Sequence, residues 1–241
     1  MTNRYFSTSE GRETPCFAKP LLVEFIGPPG AGKSTICRAL DELTISCSGV
    51  TVLSSHFGFI DKLFRRTRID YFASIASLRT KYRKSSYVQN GVLEMYLDAL
   101  RQSESQLHVE RMRRKALVRN LVQHLRLRNR RIGGAFVIDE GLAQRGISAL
   151  LSGVPRGIIE QHYTYMPLAD LYVYVDIYPE TATARLKQRD GDDWRRVVAE
   201  DYQHAIQRIQ QRGRPILRVS GEGGSHEAAV VVYRELLSQA H

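Results

Sequence analysis

The sequence predicts an α/β fold in which a parallel sheet carries helices on both faces. Short apolar runs recur along the 241-residue chain, and stretches with helical periodicity separate them. Strands that alternate with helices favour parallel pairing, because a helical crossover returns the chain to the same end of the sheet. In addition, about 75 residues of helical pattern separate the second and third predicted strands, which indicates a helical insertion at that point.

The elements are predicted in order from the amino terminus. Residues 1–18 are polar and are expected to form a flexible leader. The compact apolar run at 21–26 ends at Gly27 and predicts a buried first strand. A helix is predicted at 34–43 and a short second strand at 50–53.

The insertion, about residues 56–131, contains three apolar stripes at helical spacing. Spacing of three and four residues is what packing of one helix face requires, so we interpret the stripes as core. Their members are Tyr71, Ile75, Leu78 and Tyr82; Val92, Leu93, Tyr96, Leu97 and Leu100; and Leu117, Val118, Leu121, Val122 and Leu125.

The rest of the chain, from 132 onward, returns to alternating strands and helices. Three further strands are predicted at 136–138, 171–175 and 216–219. The helices predicted around them cover 155–165, 179–188, 194–211 and 227–237. We therefore expect one domain, residues 19–241, with a short lid at about 179–197.

Composition narrows the class of protein. No apolar run approaches the 18 residues that suggest a membrane-spanning helix, and the first twenty residues lack the apolar segment of a secretory signal. The cysteines are Cys16, Cys37 and Cys47; three cannot all pair with one another, and they lack metal-ligand spacing. These features favour reduced thiols in a cytoplasmic protein.

The net charge of +10 is concentrated in the insertion. Residues 62–131 contain 18 basic and 5 acidic side chains, a local excess of +13, whereas the remainder of the chain carries −3. A locally basic surface suggests an anionic ligand: a phosphorylated molecule, a nucleic acid or an acidic membrane. A solvated face is the alternative interpretation.

The segment 27–34, Gly-Pro-Pro-Gly-Ala-Gly-Lys-Ser, matches every fixed position of the phosphate-binding loop motif. It follows a predicted strand and opens a predicted helix, so unpaired backbone amides at the helix start can bind a phosphate. Lys33 supplies a cation for the β- and γ-phosphates, and the Ser34 hydroxyl is placed to bind Mg²⁺. The nucleotide-binding residues predicted here are Gly27, Gly30, Ala31, Gly32, Lys33, Ser34 and Thr35.

A pair of carboxylates, Asp139 and Glu140, follows the third predicted strand. Ligands of open α/β sheets bind at the carboxyl ends of strands, which is where these residues lie. We predict that Asp139 belongs to the Mg²⁺ shell. Glu140 is predicted to be catalytic, by contacting the acceptor, orienting a metal-bound water or acting as a base, and Arg145 is a candidate for binding an anion.

Arginines follow the fourth strand on a predicted helix. Arg185 and Arg189 are four residues apart and share one face of that helix. An arginine-bearing lid can bring cationic charge to the transferring phosphoryl group and exclude water. We predict this role for both residues, with Arg195 and Arg196 as weaker candidates.

Together, the phosphate loop, the 139–141 strand end and the arginine segment at 176–189 resemble the P-loop nucleoside and nucleotide kinases, especially the thymidylate-kinase-like group. The resemblance covers about 20–54 and 132–240. It implies a five-stranded parallel sheet in the order 2-3-1-4-5, ATP as phosphoryl donor and Mg²⁺ as cofactor. It also implies that the loop around Gly221 borders the adenine.

The sequence departs from this group on the acceptor side. Thymidylate kinases carry Asp-Arg-Tyr after the third strand and deoxynucleoside kinases carry Glu-Arg-Ser, whereas this chain has Asp-Glu-Gly at 139–141. The aspartate base that related small-molecule kinases place after the second strand is also absent. His56 and Asp61 are weak candidates for that base.

The leading hypothesis is an ATP-dependent kinase that phosphorylates a small, anionic acceptor: a nucleoside monophosphate, or a nucleoside-like or sugar-like metabolite. Arg65, Arg66, Arg68 and the run at 111–115 favour an anionic acceptor. Two alternatives stay open: a 5′-hydroxyl polynucleotide kinase, and a non-catalytic binding module gated by nucleotide. Nucleic acid is the less favoured partner, and the oligomeric state is open, a homodimer included.

Overall fold

A computed structural model describes residues 17–44, 50–53, 68–103, 107–130, 133–190 and 199–240. Of its side chains, those at 53, 68–72, 107, 189, 190 and 199 are not described. The predicted leader lies almost entirely outside the described part of the chain. His56, Asp61, Arg65, Arg66, Arg195, Arg196, Cys16 and Cys47 lie outside it as well.

Five parallel strands form the sheet, in the order β2-β3-β1-β4-β5 that the family resemblance implied. They are β1 (Pro20–Ile26), β2 (Val50–Leu53), β3 (Gly134–Ile138), β4 (Leu171–Asp176) and β5 (Ile216–Ser220). The central strand β1 pairs Val23 with Val137 of β3 on one side and with Leu171 of β4 on the other. The carboxyl ends of the strands therefore meet at one edge of the sheet.

Ten helices connect the strands within the described ranges. Their bounds are α1 (Lys33–Thr44), α2 (Arg68–Thr80), α3 (Ser86–Gln89), α4 (Val92–Ser103), α5 (Leu107–Arg128), α6 (Leu142–Leu150), α7 (Arg156–Tyr165), α8 (Pro179–Asp190), α9 (Ala199–Gln211) and α10 (Ser225–Ser238). Within the described ranges, the predicted strands and helices are confirmed with small shifts at their ends. Residues 194–198 of the helix predicted at 194–211 lie outside those ranges. Helix α6, which starts directly after the two carboxylates, is missing from the sequence prediction.

Alternate residues of the strands point into two separate cores. On one face Val23, Phe25 and Val173 pack with α1 and α10. On the other face Leu22 and Phe136 pack with helices of the insertion and with α6, α7 and α9. Because the stripes of α4 and α5 share this second core with the strands, the insertion is built onto the sheet. The stripe residues whose side chains are described, all except Tyr71, are buried in this core or packed against it, as their spacing predicted.

Helix α5 extends beyond the carboxyl edge of the sheet. Its residue Asn120 donates to the carbonyl of Glu140, just past β3, whereas Arg128, about 12 Å further along the helix axis, pairs with Asp170 just before β4. The amino-terminal half of α5 therefore projects past the carboxyl ends of the strands. In the described part of the chain, no helix is long and apolar enough to cross a membrane.

Candidate functional site

The phosphate loop lies between β1 and α1, as its sequence context predicts. Gly30 has a φ of +82°, and a Cβ atom there would lie 2.7 Å from the carbonyl oxygen of Ala182 in α8. A side chain at this position would be strained and would collide with backbone. The loop is closed by a hydrogen bond from the Ala31 amide to the Pro28 carbonyl (3.1 Å), and α1 begins at Lys33.

Lys33 places a buried cation inside the loop. Its Nζ donates to the carbonyl oxygens of Gly27 (2.6 Å) and Pro28 (3.1 Å). Burial lowers the pKa of Lys33, and the carboxylates of Glu140 and Asp139 act in the opposite direction. The structure thus brings Lys33 within electrostatic reach of Asp139 and Glu140, three of the residues that the sequence predicts at the reacting end of the nucleotide.

The oxygen atoms of Ser34 and Asp139 fit the chemistry of Mg²⁺. Ser34 lies in the first turn of α1, and Asp139 is buried at the end of β3 beside Lys33. No group of three or more acidic, histidine or cysteine residues in the described ranges could hold a metal ion alone. That arrangement suits Mg²⁺, which commonly binds one or two protein oxygens together with substrate phosphates and water.

Glu140 and Arg145 form an ion pair just past the carboxyl end of β3. Arg145 Nη2 lies 2.6 Å from Glu140 Oε2, with the arginine side chain mostly buried and the carboxylate more exposed. The carbonyl of Glu140 accepts from Asn120 (2.7 Å) on α5. The carbonyl of Arg145 accepts from the hydroxyl of Tyr96 (2.7 Å) on α4. Helices of the insertion therefore fix the backbone on both sides of this ion pair.

A buried glutamate in β1 holds the start of α6. Glu24 is 1% exposed, and its Oε1 accepts from the amides of Ala143 (2.7 Å) and Gln144 (3.2 Å). A carboxylate at a helix amino terminus pairs with otherwise unsatisfied donors and with the positive end of the helix dipole. The sequence prediction does not include Glu24, although one charged residue inside the apolar run 21–26 is a recognisable signal.

Two further side chains bind carbonyls in the first turn of α6. His162 Nε2 lies 2.9 Å from the carbonyl of Leu142, and the hydroxyl of Tyr163 donates to that of Ala143 (3.0 Å). Burial lowers the pKa of His162 to about 4, so the ring is neutral and its other nitrogen accepts from the Tyr87 hydroxyl (2.6 Å). The first turn is consequently fixed from several directions, a preorganised support for the carboxylates that precede it.

Arg185 joins two loops at the nucleotide end of the sheet. Its Nη1 donates to the carbonyls of Gly30 (3.3 Å) and Gly221 (2.9 Å), and so links the phosphate loop to the loop after β5. The Gly221 amide donates in turn to the Asp176 carbonyl (2.6 Å) at the end of β4. Arg189 lies on the same helix, but its side chain is outside the described atoms. The lid role of both arginines stays a prediction.

Described basic residues of the insertion lie at two different ends of the sheet. Arg113 lies close enough to Tyr96 to oppose the rise in the pKa of the Tyr96 hydroxyl that burial causes, and this hydroxyl binds the Arg145 carbonyl near the carboxyl end of β3. In contrast, the exposed cations at 79–84 lead into Ser86, whose hydroxyl donates to the Tyr165 carbonyl before β4. Those cations are near the amino edge of the sheet, away from the phosphate loop.

Glu24 should make the stability of the protein depend on pH. Burial raises the pKa of Glu24 from 4.5 to about 7; the backbone donors and Arg145 oppose this rise, while Tyr163 and Tyr172 face the carboxyl. Because the pKa of Glu24 is higher in the folded than in the unfolded state, the folded protein binds the proton more tightly. Protonation of Glu24 therefore stabilises the fold, with the full contribution present below pH 4.5. This contribution is lost as the pH rises through 7.

We therefore expect the free energy of unfolding of the wild type to fall between pH 5 and pH 8 by about 2 to 3 kcal/mol more than that of Glu24→Gln. The amide keeps an oxygen acceptor for α6 but does not ionise. Urea unfolding of both proteins at each pH measures the difference. Parallel pH profiles of the two proteins would contradict this assignment.

Comparisons with known proteins agree with this architecture. A family model described as "AAA domain" matches residues 23–203, which is more than half of the chain. A deoxyadenosine kinase from M. mycoides, solved with dCMP and dCDP, aligns with a TM-score of 0.51 and 15% identity. The alignment covers 90% of this chain and 100% of that one.

Two further structures of deoxyadenosine kinase from M. mycoides are similar to this chain. The one with dATP has a TM-score of 0.49 and 15% identity, covering 90% of this chain and 99% of that one. The one with dCTP has a TM-score of 0.45 and 14% identity, covering 90% and 100%. Both scores lie below 0.5, so the fold comparison rests on the first structure. No curated protein sequence matches the chain.

Proposed function

The chain belongs to the AAA domain family, among the P-loop kinases that its sequence motifs resemble, and from that premise we propose that it is an ATP- and Mg²⁺-dependent phosphotransferase with a small anionic acceptor. One observation carries the proposal. The buried Lys33 cation lies beside Asp139 and Glu140 at the carboxyl edge of the sheet, and Glu140 is paired with Arg145. Donor-side and acceptor-side groups therefore meet at one place.

The donor side of the reaction needs phosphate binding and charge neutralisation. Backbone amides at the start of α1 and the Lys33 ammonium would bind the β- and γ-phosphates of ATP. Mg²⁺, when bound through Ser34 and Asp139, would neutralise charge on the transferring group. Arg185, held between the phosphate loop and the Gly221 loop, would keep these two loops at a fixed spacing around the nucleotide.

The acceptor side favours a phosphorylated substrate. Arg145 on α6 and Arg113 on α5 both lie near Tyr96, and both belong to elements that border the 139–141 strand end. Guanidinium groups bind phosphate oxygens with paired hydrogen bonds. A phosphate oxygen of the acceptor is already largely ionised at neutral pH, so it can attack the γ-phosphorus without a dedicated base. Glu140 would then orient Arg145 toward the acceptor.

In the proposed reaction, an acceptor oxygen forms a bond to the γ-phosphorus as the bond to the β–γ bridging oxygen breaks, and ADP leaves. A hydroxyl acceptor would also release a proton, which the partly exposed Glu140 carboxylate would take. Lys33 and Arg185 lie on the donor side of the same centre. In this reaction the β1–α1 loop would bind the nucleotide, and α4, α5 and α6 would select the acceptor.

A screen of acceptors tests this proposal. The purified protein is incubated with ATP, Mg²⁺ and one member of a panel of nucleoside monophosphates, sugar phosphates, nucleosides, sugars or 5′-hydroxyl oligonucleotides, and ADP is measured. Unfolding temperatures with an unreactive ATP analogue show which panel members bind, because a ligand of the folded state raises its stability. We expect ADP formation with phosphorylated small molecules. Turnover with oligonucleotides only would favour a polynucleotide kinase instead.

A further inference from the structure

Gln144 is a buried polar residue to which the proposed chemistry assigns no role. It is 4% exposed and lies in the first turn of α6. Its Oε1 accepts a hydrogen bond from the amide of Gly27 (3.2 Å), the first residue of the phosphate loop. The two residues are 117 positions apart in the chain, so this bond joins two elements that the sequence does not connect directly.

The position of Gln144 is fixed relative to both neighbouring strands. Its backbone amide donates to Glu24 of β1, and α6 itself begins three residues after Asp139. Gly141 and Glu24 are tightly packed against each other, because a Cβ atom on Gly141 would lie 2.3 Å from the carboxyl carbon of Glu24. Glu24 therefore fits directly against the turn that carries Asp139 and Glu140, and Gln144 reaches from that turn to the phosphate loop.

A third element also meets this side chain. Tyr202 of α9 is buried, and the Gln144 side chain opposes the rise in the pKa of the Tyr202 hydroxyl that burial causes, so the two groups are adjacent. Helix α9 follows the segment in which the lid is predicted. Gln144 thus lies where the phosphate loop, the acceptor-side strand end and the helix after the lid segment come together.

We propose that Gln144 is a positioning residue that holds the phosphate loop at a fixed distance from the Asp139–Glu140 strand end, with Glu24 as its anchor. Its importance for catalysis rests on the proposed function. The hydrogen bond between the Gly27 amide and Gln144 does not require a bound nucleotide. Its contribution can therefore be measured without any turnover. A side chain with a merely structural role in α6 would not act selectively on Gly27.

The experiment compares Gln144→Leu with a matched control on the same helix, Ser148→Ala. Leucine replaces the side-chain amide with an apolar group of similar size and leaves the Gly27 amide without its acceptor. The control removes the hydrogen bond from the Ser148 hydroxyl to the Gln144 carbonyl (2.9 Å) and leaves the Gln144 side chain intact. Two quantities are measured: hydrogen exchange of the Gly27 amide relative to that of Val23, and the dissociation constant of a fluorescent ATP analogue.

We expect Gln144→Leu to speed exchange at Gly27 relative to Val23 by about tenfold and to weaken binding of the analogue by about tenfold, the effect of losing one buried hydrogen bond. The control should change neither quantity by more than about twofold. Unchanged Gly27 exchange in Gln144→Leu, or equal changes in both variants, would overturn the positioning role. A wild type that does not bind the analogue would contradict the proposed function, while the exchange measurement would still decide the role of Gln144.

Discussion

Replacing Lys33 with methionine should reduce phosphoryl transfer from ATP by about 10² to 10³-fold, the cost of removing one preorganised charge at the reacting group. Methionine keeps the length of the side chain but loses the cation that binds the loop carbonyls and interacts with the charges of Asp139 and Glu140. The measurement is the initial rate of ADP formation with the best acceptor of the panel, at saturating ATP and Mg²⁺.

Lys84→Met is the matched control, because Lys84 is exposed in the turn near the amino edge of the sheet. It should keep wild-type activity, and the unfolding temperatures of both variants establish that the fold is intact. A Lys33→Met protein that is folded and retains more than a tenth of wild-type turnover would show that transfer does not depend on this cation.

Replacing Asp139 with asparagine should reduce the Mg²⁺-dependent rate by a similar factor, about 10² to 10³-fold. The asparagine side chain has nearly the same size and can still accept hydrogen bonds. It lacks the negative charge that would bind a divalent cation and that raises the pKa of Lys33 against the effect of burial. The Mg²⁺ concentration for half-maximal activity should also rise. Binding of ATP without Mg²⁺ should be kept or strengthened, since a negative charge near the phosphates is gone.

The rate is measured as a function of Mg²⁺ for the wild type, for Asp139→Asn and for Asp41→Asn. Asp41 lies in the last turn of α1, at the far end of that helix from the phosphate loop, so the third protein controls for the loss of one carboxylate charge. An unchanged Mg²⁺ dependence in Asp139→Asn would remove Asp139 from the metal shell. An equal loss of rate in Asp139→Asn and Asp41→Asn would show that the loss follows from the change in net charge and not from a specific role of Asp139.

The donor side of the molecule could be predicted from sequence because phosphate binding has a local motif. Residues 27–34 contain the loop, the cation and the helix start within eight positions, and Asp139 and Glu140 end an apolar run. Strand order needed the family resemblance, because the apolar runs indicate strands but carry no information on which strands are neighbours. The computed structure confirms that order.

The support of the site could not be predicted in the same way. Glu24 binds amides at 143 and 144, Tyr96 binds the Arg145 carbonyl, and Asn120 binds the Glu140 carbonyl. These contacts join residues 20 to 120 positions apart, so no spacing rule marks them. The sequence also shows that the positive charge is concentrated in the insertion, but it does not show where each cation lies. In the fold, Arg113 lies near Tyr96, whereas the cations at 79–84 lie near the amino edge of the sheet.

The mass of the acceptor after reaction shows whether a phosphoryl group moves from ATP to a small molecule at this site. Each acceptor that raises the unfolding temperature is incubated with ATP, Mg²⁺ and either the wild type or Lys33→Met, and the products are analysed by mass spectrometry. We expect the wild type alone to add one phosphoryl group to the acceptor while ADP forms in equal amount. ADP formation with release of inorganic phosphate and an acceptor of unchanged mass would contradict the account.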